Sequence, residues 1–121
     1  MRIAAALLLL AGCGPASSPL DGKWEGSLTF DPDSSCTLPT NTYPAALEVA
    51  AGGTSVGPVY ECATVPLELS GSTATAKATS CPHGYEVTGG TLALDDKALK
   101  VALRLKVGTC AAGLNGALTK K

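Results

Sequence analysis

The chain has 121 residues, enough for one domain. Lysine and arginine together number 9 against 10 acidic residues, for a formal net charge of −1. This balance argues against nucleic acid or an anionic lipid surface as the partner, because both are bound through an excess of positive charge. The few aromatic residues are scattered along the sequence, which also argues against a platform for stacking bases or sugars.

The first residues have the layout of a secretory signal. One cation, Arg2, is followed by an apolar run over 3–11, which is much shorter than the roughly 18 residues needed to span a bilayer. The run ends in a leucine, two small residues and a cysteine, Leu10-Ala11-Gly12-Cys13. This motif resembles the lipobox of bacterial lipoproteins, in which the signal peptide is removed and the cysteine receives lipid.

The lipobox resemblance implies a membrane anchor. In that family Cys13 becomes the first residue and carries a diacylglyceryl group and a further acyl chain such as palmitate, and two or more chains anchor a protein stably. Gly14, rather than aspartate, resembles the sorting signal of Gram-negative lipoproteins in the outer membrane. We therefore expect an outer-membrane protein on the periplasmic face or the cell surface. The expected parts are a signal peptide over 1–12, the lipidated cysteine and a short tether over 13–20, and one domain over 21–121.

From residue 23 onward, apolar and polar residues alternate, which is typical of strands with one buried face. The inward positions are Trp24, Gly26, Leu28 and Phe30, then Ala45, Leu47, Val49 and Ala51, then Val65, Leu67 and Leu69, and finally Leu99, Val101, Leu103, Leu105 and Val107. No segment after the tether has the spacing of an amphipathic helix. The sequence predicts an all-β domain, a small antiparallel meander barrel or sandwich of six to eight strands, with a packed core of small aliphatic side chains.

Short pairs containing glycine or aspartate predict the turns between these strands. Three such pairs are candidates for two-residue turns: Gly71-Ser72, Gly89-Gly90 and Asp96-Lys97. The last of them would place Leu94 opposite Leu99. Asn115 and Gly116 form either a turn or part of the last strand, and we favour the strand because a turn there would leave only stubs.

Besides Cys13 there are four cysteines: Cys36, Cys62, Cys81 and Cys110. An even number in an exported chain predicts two disulfides that staple the domain. Continuing the register of the Gly71-Ser72 hairpin places Cys62 opposite Cys81, which leaves Cys36 to pair with Cys110. Two points count against this pairing: strict alternation puts Cys62 on the opposite face from Leu67 and Leu69, and it puts the pair in the hydrogen-bonded register, whose spacing is less suitable. A bulge at Pro66 would reset both. A metal site at Cys62, Cys81 and His83 is the alternative, which an oxidising compartment disfavours.

One segment, Gly53-Thr54-Ser55-Val56-Gly57, matches the Gly-x-Ser-x-Gly pattern of serine hydrolases. That chemistry needs a strand-to-helix turn that exposes the serine, whereas the segment here joins two predicted strands. The only histidine, His83, lies between a proline and a glycine, as an exposed loop residue would. We therefore expect no catalytic residue, metal or cofactor, and a hydrolase using Ser55 and His83 is the alternative.

Two further resemblances concern the β domain. The sequence Gly22-Lys23-Trp24 is similar to the Gly-x-Trp at the first strand of lipocalins, whose tryptophan packs across the closed end of a barrel that binds apolar ligands at its open end. Trp24 is then either part of a ligand-binding barrel or simply the largest core side chain. The size, anchor and cysteines are also similar to the membrane-bound lysozyme-inhibitor lipoproteins, small disulfide-bearing barrels that insert a segment into the enzyme's cleft.

Together these features predict a non-catalytic envelope domain that binds another envelope protein, as an inhibitor or an assembly partner. The loops at 31–42 and 82–85 are the expected contacts. The alternative is a lipocalin-like carrier of a small apolar ligand, with Trp24 at the base of the barrel. The volume inside the barrel distinguishes the two: a filled interior would exclude the carrier, whereas an apolar cavity on the order of a few hundred Å³ would favour it.

Overall fold

The computed structural model describes residues 18–34 and 36–121. The predicted signal peptide, the lipobox and Cys13 lie outside the described residues. Within those two ranges, no helix has both the length and the apolar character required to cross a bilayer.

The described residues form nine β-strands and two short 3₁₀ turns. The strands are β1 (Gly22–Pro32), β2 (Asn41–Val49), β3 (Ser55–Gly57), β4 (Val65–Ser70), β5 (Thr73–Ala76), β6 (Thr79–Ser80), β7 (Tyr85–Asp95), β8 (Ala98–Val107) and β9 (Cys110–Lys120). The 3₁₀ turns are Ala51–Gly53, after β2, and Pro82–Gly84, before β7.

These strands close into an antiparallel barrel. The hydrogen-bonded order is β5-β4-β3-β2-β1-β9-β8-β7, and a pairing of β5 with β7 completes the circuit of eight strands, with the short β6 added to β7. Strands that follow one another in the chain are mostly neighbours, as in a meander. The prediction of a small antiparallel barrel is confirmed, and closure leaves few strand edges for uncontrolled pairing.

The predicted alternation fills the barrel interior. Leu28, Leu103 and Leu114 are 1% exposed or less. An eight-stranded barrel is just wide enough for side chains to fill, and the inward side chains form one cluster. Three predicted inward positions are exposed: Gly26 in the middle of β1, Ala51 in the 3₁₀ turn after β2, and Leu69, which is 37% exposed near the end of β4. Ala51 and Leu69 lie where a strand ends and the alternation no longer applies, whereas Gly26 has no side chain to bury.

Two predicted hairpin turns are confirmed, Gly71-Ser72 between β4 and β5 and Asp96-Lys97 between β7 and β8. Across the second turn, Leu94 faces Leu99 as expected. Asn115 and Gly116 lie within β9, so the strand alternative is confirmed for them.

The predicted turn at Gly89-Gly90 was wrong. β7 continues through both glycines, and its register against β8 shifts between Val87 and Gly89. Gly90 has a φ of 124°, and a Cβ at this position would collide with the carbonyl oxygen of Ala102. The glycine pair therefore allows a bulge and a close backbone approach within one strand rather than a reversal of the chain.

Trp24 closes one end of the barrel, which we call the Trp24 end. Its side chain is 2% exposed, and its Nε1 donates a hydrogen bond of 2.8 Å to the carbonyl oxygen of Leu20. Leu20 is itself fully buried, and the Lys120 ammonium lies 5.4 Å from the centre of the indole ring. Trp24 is thus a core side chain, packed under the segment that precedes β1.

Asp21 fastens that segment to the barrel. Its carboxylate accepts hydrogen bonds of 2.9 Å from the amides of Ser18, Gly52 and Gly53. Desolvation raises the pKa of this carboxyl, but the three amides and the charge of Lys120 outweigh it and hold the pKa below its ordinary value. Ser18 is buried, so the last residues assigned to the tether belong to the packed domain.

Candidate functional site

Four aromatic side chains meet at the end of the barrel opposite Trp24: Phe30, Tyr43, Tyr60 and Tyr85. We call this cluster the aromatic mouth. Tyr60 lies at its centre, with ring centroids 6.0 Å from Phe30, 5.5 Å from Tyr43 and 5.9 Å from Tyr85. The aromatic residues are scattered along the sequence as expected, but four of them cluster in the folded barrel, so the expectation that they form no cluster was wrong. Barrel closure brings together the end of β1, the start of β2 and the start of β7.

Tyr60 occupies a tight turn that is not part of any named strand. The backbone amide of Val59 donates to the carbonyl of Cys62 and the amide of Cys62 donates back, each at 2.8 Å. Tyr60 has a φ of 51°, a conformation that costs energy in a residue with a bulky side chain. The surrounding rings and the neighbouring cysteine hold it there, with 39% of the residue exposed.

Two disulfides support the loops around the mouth, and both predicted pairings are confirmed: Cys62–Cys81 and Cys36–Cys110. Cys62–Cys81 joins the Tyr60 turn to the segment just before Tyr85. Its sulfurs are bonded to each other and are not free thiolates for a metal. Within the described ranges, no group of three or more His, Cys, Asp or Glu side chains is placed to hold a metal ion.

The route to the Cys62–Cys81 bond differs from the predicted one. β4 begins at Val65, and the β4–β5 ladder ends where the amide of Lys77 donates to the carbonyl of Pro66. Cys62 therefore lies in the turn before β4 rather than opposite Cys81 in a continued ladder. The turn carries its side chain inward, where the residue is 3% exposed, so no bulge at Pro66 is required.

An open cleft of about 310 Å³ lies beside the mouth. It is lined by Phe30, Leu38, Pro39, Thr40, Asn41, Tyr60, Tyr85 and Val107. Leu38, from the predicted contact loop at 31–42, is 49% exposed. The lining carries no charged side chain, so the cleft suits a partner group that is uncharged and largely apolar. The second predicted contact loop, at 82–85, contributes Tyr85 to the same cleft.

The tyrosine hydroxyls supply polar groups next to this apolar surface. Burial raises the pKa of Tyr43, although its hydrogen bond with Tyr60 opposes the shift. Burial raises the pKa of Tyr60 as well, and the same hydrogen bond adds to the effect. Both phenols therefore stay neutral at physiological pH and can donate or accept hydrogen bonds.

His83 and Ser55, the residues of the hydrolase alternative, make separate contacts. His83 Nδ1 lies 2.8 Å from Glu61 Oε1 on the surface beside the Tyr60 turn, with 75% of the histidine side chain exposed. Ser55 lies in β3, opposite Pro66. Among the described contacts, His83 is joined to Glu61 and not to Ser55.

No protein-family model, curated protein or solved structure matches this chain.

Both loops that were expected to make contacts contribute residues to the lining of the cleft, whereas the aromatic cluster was not predicted. The signal that could have found it is positional, since Phe30 ends the first predicted strand and Tyr43 precedes the second. Antiparallel strands place those positions at the same end of a barrel, and β1 and β2 do pair Leu28 with Tyr43. Tyr60 carries no such signal, because the adjacent β3 has only three residues.

Proposed function

We propose that this protein is a membrane-anchored envelope lipoprotein whose non-catalytic β domain binds another protein through the aromatic mouth. The observation that carries the proposal is a cluster of four aromatic rings, three of which line an exposed, uncharged cleft. Tyrosine offers a large rigid surface with a polar tip, and protein interfaces are enriched in it for that reason. The partner would be an enzyme that the domain inhibits or a component that it helps to assemble.

The position of the N-terminal segment supports this arrangement. Ser18 lies at the Trp24 end of the barrel, where its backbone amide donates a hydrogen bond to the carboxylate of Asp21. It lies five positions after Cys13, and an extended chain of that length covers at most about 17 Å. A lipidated Cys13 would therefore hold the Trp24 end near the outer membrane and present the aromatic mouth away from it.

The packed interior argues against the predicted lipocalin-like carrier, and the second candidate becomes a small apolar ligand bound in the cleft outside the barrel. The barrel interior is filled by side chains such as Leu28, Leu103 and Leu114, so a ligand would lie at the mouth instead of inside the barrel. Its contacts would be the exposed faces of Leu38 and Tyr60. Such a ligand would be small and shallowly bound.

The anchor is tested by the intact mass and peptide map of the chain, purified from membranes without reductant. We expect Cys13 to be the first residue and to carry acyl mass, with the other four cysteines bridged. An unmodified Cys13 would contradict the proposed location.

The binding surface is tested by photo-crosslinking in bacterial cells. A photoreactive amino acid replaces Leu38 at the mouth and, in a matched control, Lys100 on the outer wall of β8. We expect a protein adduct of defined mass from position 38 that is lost in the Tyr60→Ala background and absent at position 100. Equal adducts at both positions would refute the proposal, and an adduct only a few hundred daltons heavier would favour the carrier.

A further inference from the structure

One edge of β2 is only partly covered. β2 pairs with β1 from Asn41 to Val49, but it pairs with β3 only through Glu48 and Val49. The ladder stops there because Val59, which would face Ala46, exchanges hydrogen bonds with Cys62 instead. The barrel wall therefore has an open strand edge beside the Tyr60 turn.

Along this open edge, the described residues include backbone amides and carbonyls for which the structure shows no hydrogen-bond partner. The amide of Ala50 donates to the carbonyl of Ser55 on the β3 side. Backbone groups of alternate residues in a strand point the same way, so those of Thr42, Pro44 and Ala46 also face this side. Thr42 and Ala46 offer an amide and a carbonyl each, whereas Pro44 offers only a carbonyl. These positions extend over about 14 Å, the length of four residues of an extended chain.

Separate cavities lie along this edge between the Trp24 end and the aromatic mouth. Two cavities of about 210 Å³ each share Ala46, Leu47 and Pro58 in their linings. The second of them also includes Tyr60, which lines the 310 Å³ cleft as well. The two smaller cavities therefore adjoin at Ala46, Leu47 and Pro58, and Tyr60 lies at the border between the second of them and the cleft.

We propose that an extended segment of the partner protein adds as a strand to the open edge of β2 and places an apolar side chain in the aromatic mouth. This inference rests on the proposed function and names how the partner engages the same site. In strand addition, main-chain hydrogen bonds supply affinity and neighbouring pockets select side chains. Ala46 and Thr42 supply the main-chain groups, and the adjoining cavities supply the pockets.

Pro44 favours a short foreign segment over a second copy of the chain. A proline at an edge position removes one donor from the middle of the exposed row, which is a common protection against edge-to-edge association. If two copies paired symmetrically about this position, Pro44 would face its own equivalent and neither would donate. A partner segment needs only the amides of Thr42 and Ala46.

The test uses the full mature chain with both disulfides intact. Random octapeptides displayed on phage are selected against it, and the best peptide is synthesised for calorimetry with wild type, Ala46→Pro and Ala46→Ser. The proline removes the amide hydrogen at the open edge, whereas the serine keeps it at the same exposed position. We expect Ala46→Pro to weaken binding at least about tenfold and Ala46→Ser to change it less than about twofold. In wild type, hydrogen exchange at the Ala46 amide should slow when the peptide binds.

Several outcomes would overturn the inference. They are a folded Ala46→Pro chain that binds as tightly as wild type, an Ala46 amide that stays unprotected in the complex, or a library that yields no binder. A wild-type dimer that Ala46→Pro makes monomeric would assign the edge to a second copy. None of these results removes the adduct expected at Leu38, so failure of strand addition can be distinguished from failure of the mouth as a binding surface.

Discussion

Removal of the Cys62–Cys81 disulfide tests how the aromatic mouth is held. The double variant Cys62→Ala with Cys81→Ala opens a covalent loop with a sequence separation of 19 residues. The chain-entropy relation for a loop of this size gives a loss of about 3 kcal/mol in the free energy of unfolding. Urea unfolding is followed through Trp24 fluorescence, which reports from the opposite end of the barrel. The near-ultraviolet tyrosine signal of the native variant should also fall, because the bond holds the Tyr60 turn beside Tyr85.

The Cys36–Cys110 bond provides the matched comparison. Its sequence separation is 74 residues, so the same relation gives a loss of about 4.5 kcal/mol for Cys36→Ala with Cys110→Ala. Loss of Cys36–Cys110 should therefore be the more damaging of the two. A loss below about 1 kcal/mol for the Cys62–Cys81 variant, or the reverse order of the two pairs, would refute the reasoning.

Three further substitutions test the barrel. Because its hydrogen bonds lower the pKa of Asp21 in the folded protein, the stability from this carboxylate is present above the unfolded pKa and is lost as pH falls through the folded one. Asp21→Asn should lower the urea midpoint at pH 7, and the midpoint of this variant should fall less than that of wild type as the pH is lowered. A midpoint that depends on pH as in wild type would exclude this role of Asp21. Gly90→Ala should destabilise the barrel by about 2 kcal/mol or more, since Gly90 has a positive φ and the carbonyl oxygen of Ala102 occupies the space that a Cβ would need. A change below about 0.5 kcal/mol in the free energy of unfolding, measured in urea, would argue against the bulge. Leu103→Ala, at a fully buried position, should cost about 2–5 kcal/mol in the same assay, whereas Ala102→Ser on the outer face should cost less than about 0.5 kcal/mol. Similar losses for Leu103→Ala and Ala102→Ser would contradict the inward and outward assignment of β8.

The sequence was most informative where a strand is long and has one buried face. In β8 the alternation from Leu99 to Leu105 predicted which side chains are buried, because each outward position is polar or small. Glycine was ambiguous, since the flexibility that permits a turn also permits the bulge at Gly90 in the middle of a strand. The Cys62–Cys81 pairing was predicted from hairpin register, although the turn before β4 brings the two cysteines together.

The aromatic mouth could not be predicted in the same way, because it depends on how the barrel closes. Its rings come from separate strand ends and from a turn with no periodic pattern. The pairing of β1 with β9, whose neighbours in the sheet are β8 and then β7, brings Phe30 and Tyr85 to one rim. The local sequence around Tyr60 contains no information about these distant pairings.

The orientation of the barrel on the membrane can be measured directly. The lipidated chain is placed in nanodiscs that contain a lipid with a spin-labelled headgroup, and the broadening of each backbone amide is recorded by NMR. If the aromatic mouth is presented away from the anchor, the Asp96-Lys97 turn at the Trp24 end should broaden strongly, while the Gly108-Thr109 turn at the mouth stays sharp. Stronger broadening at Gly108-Thr109, or equal broadening of both turns, would contradict a mouth that faces away from the membrane.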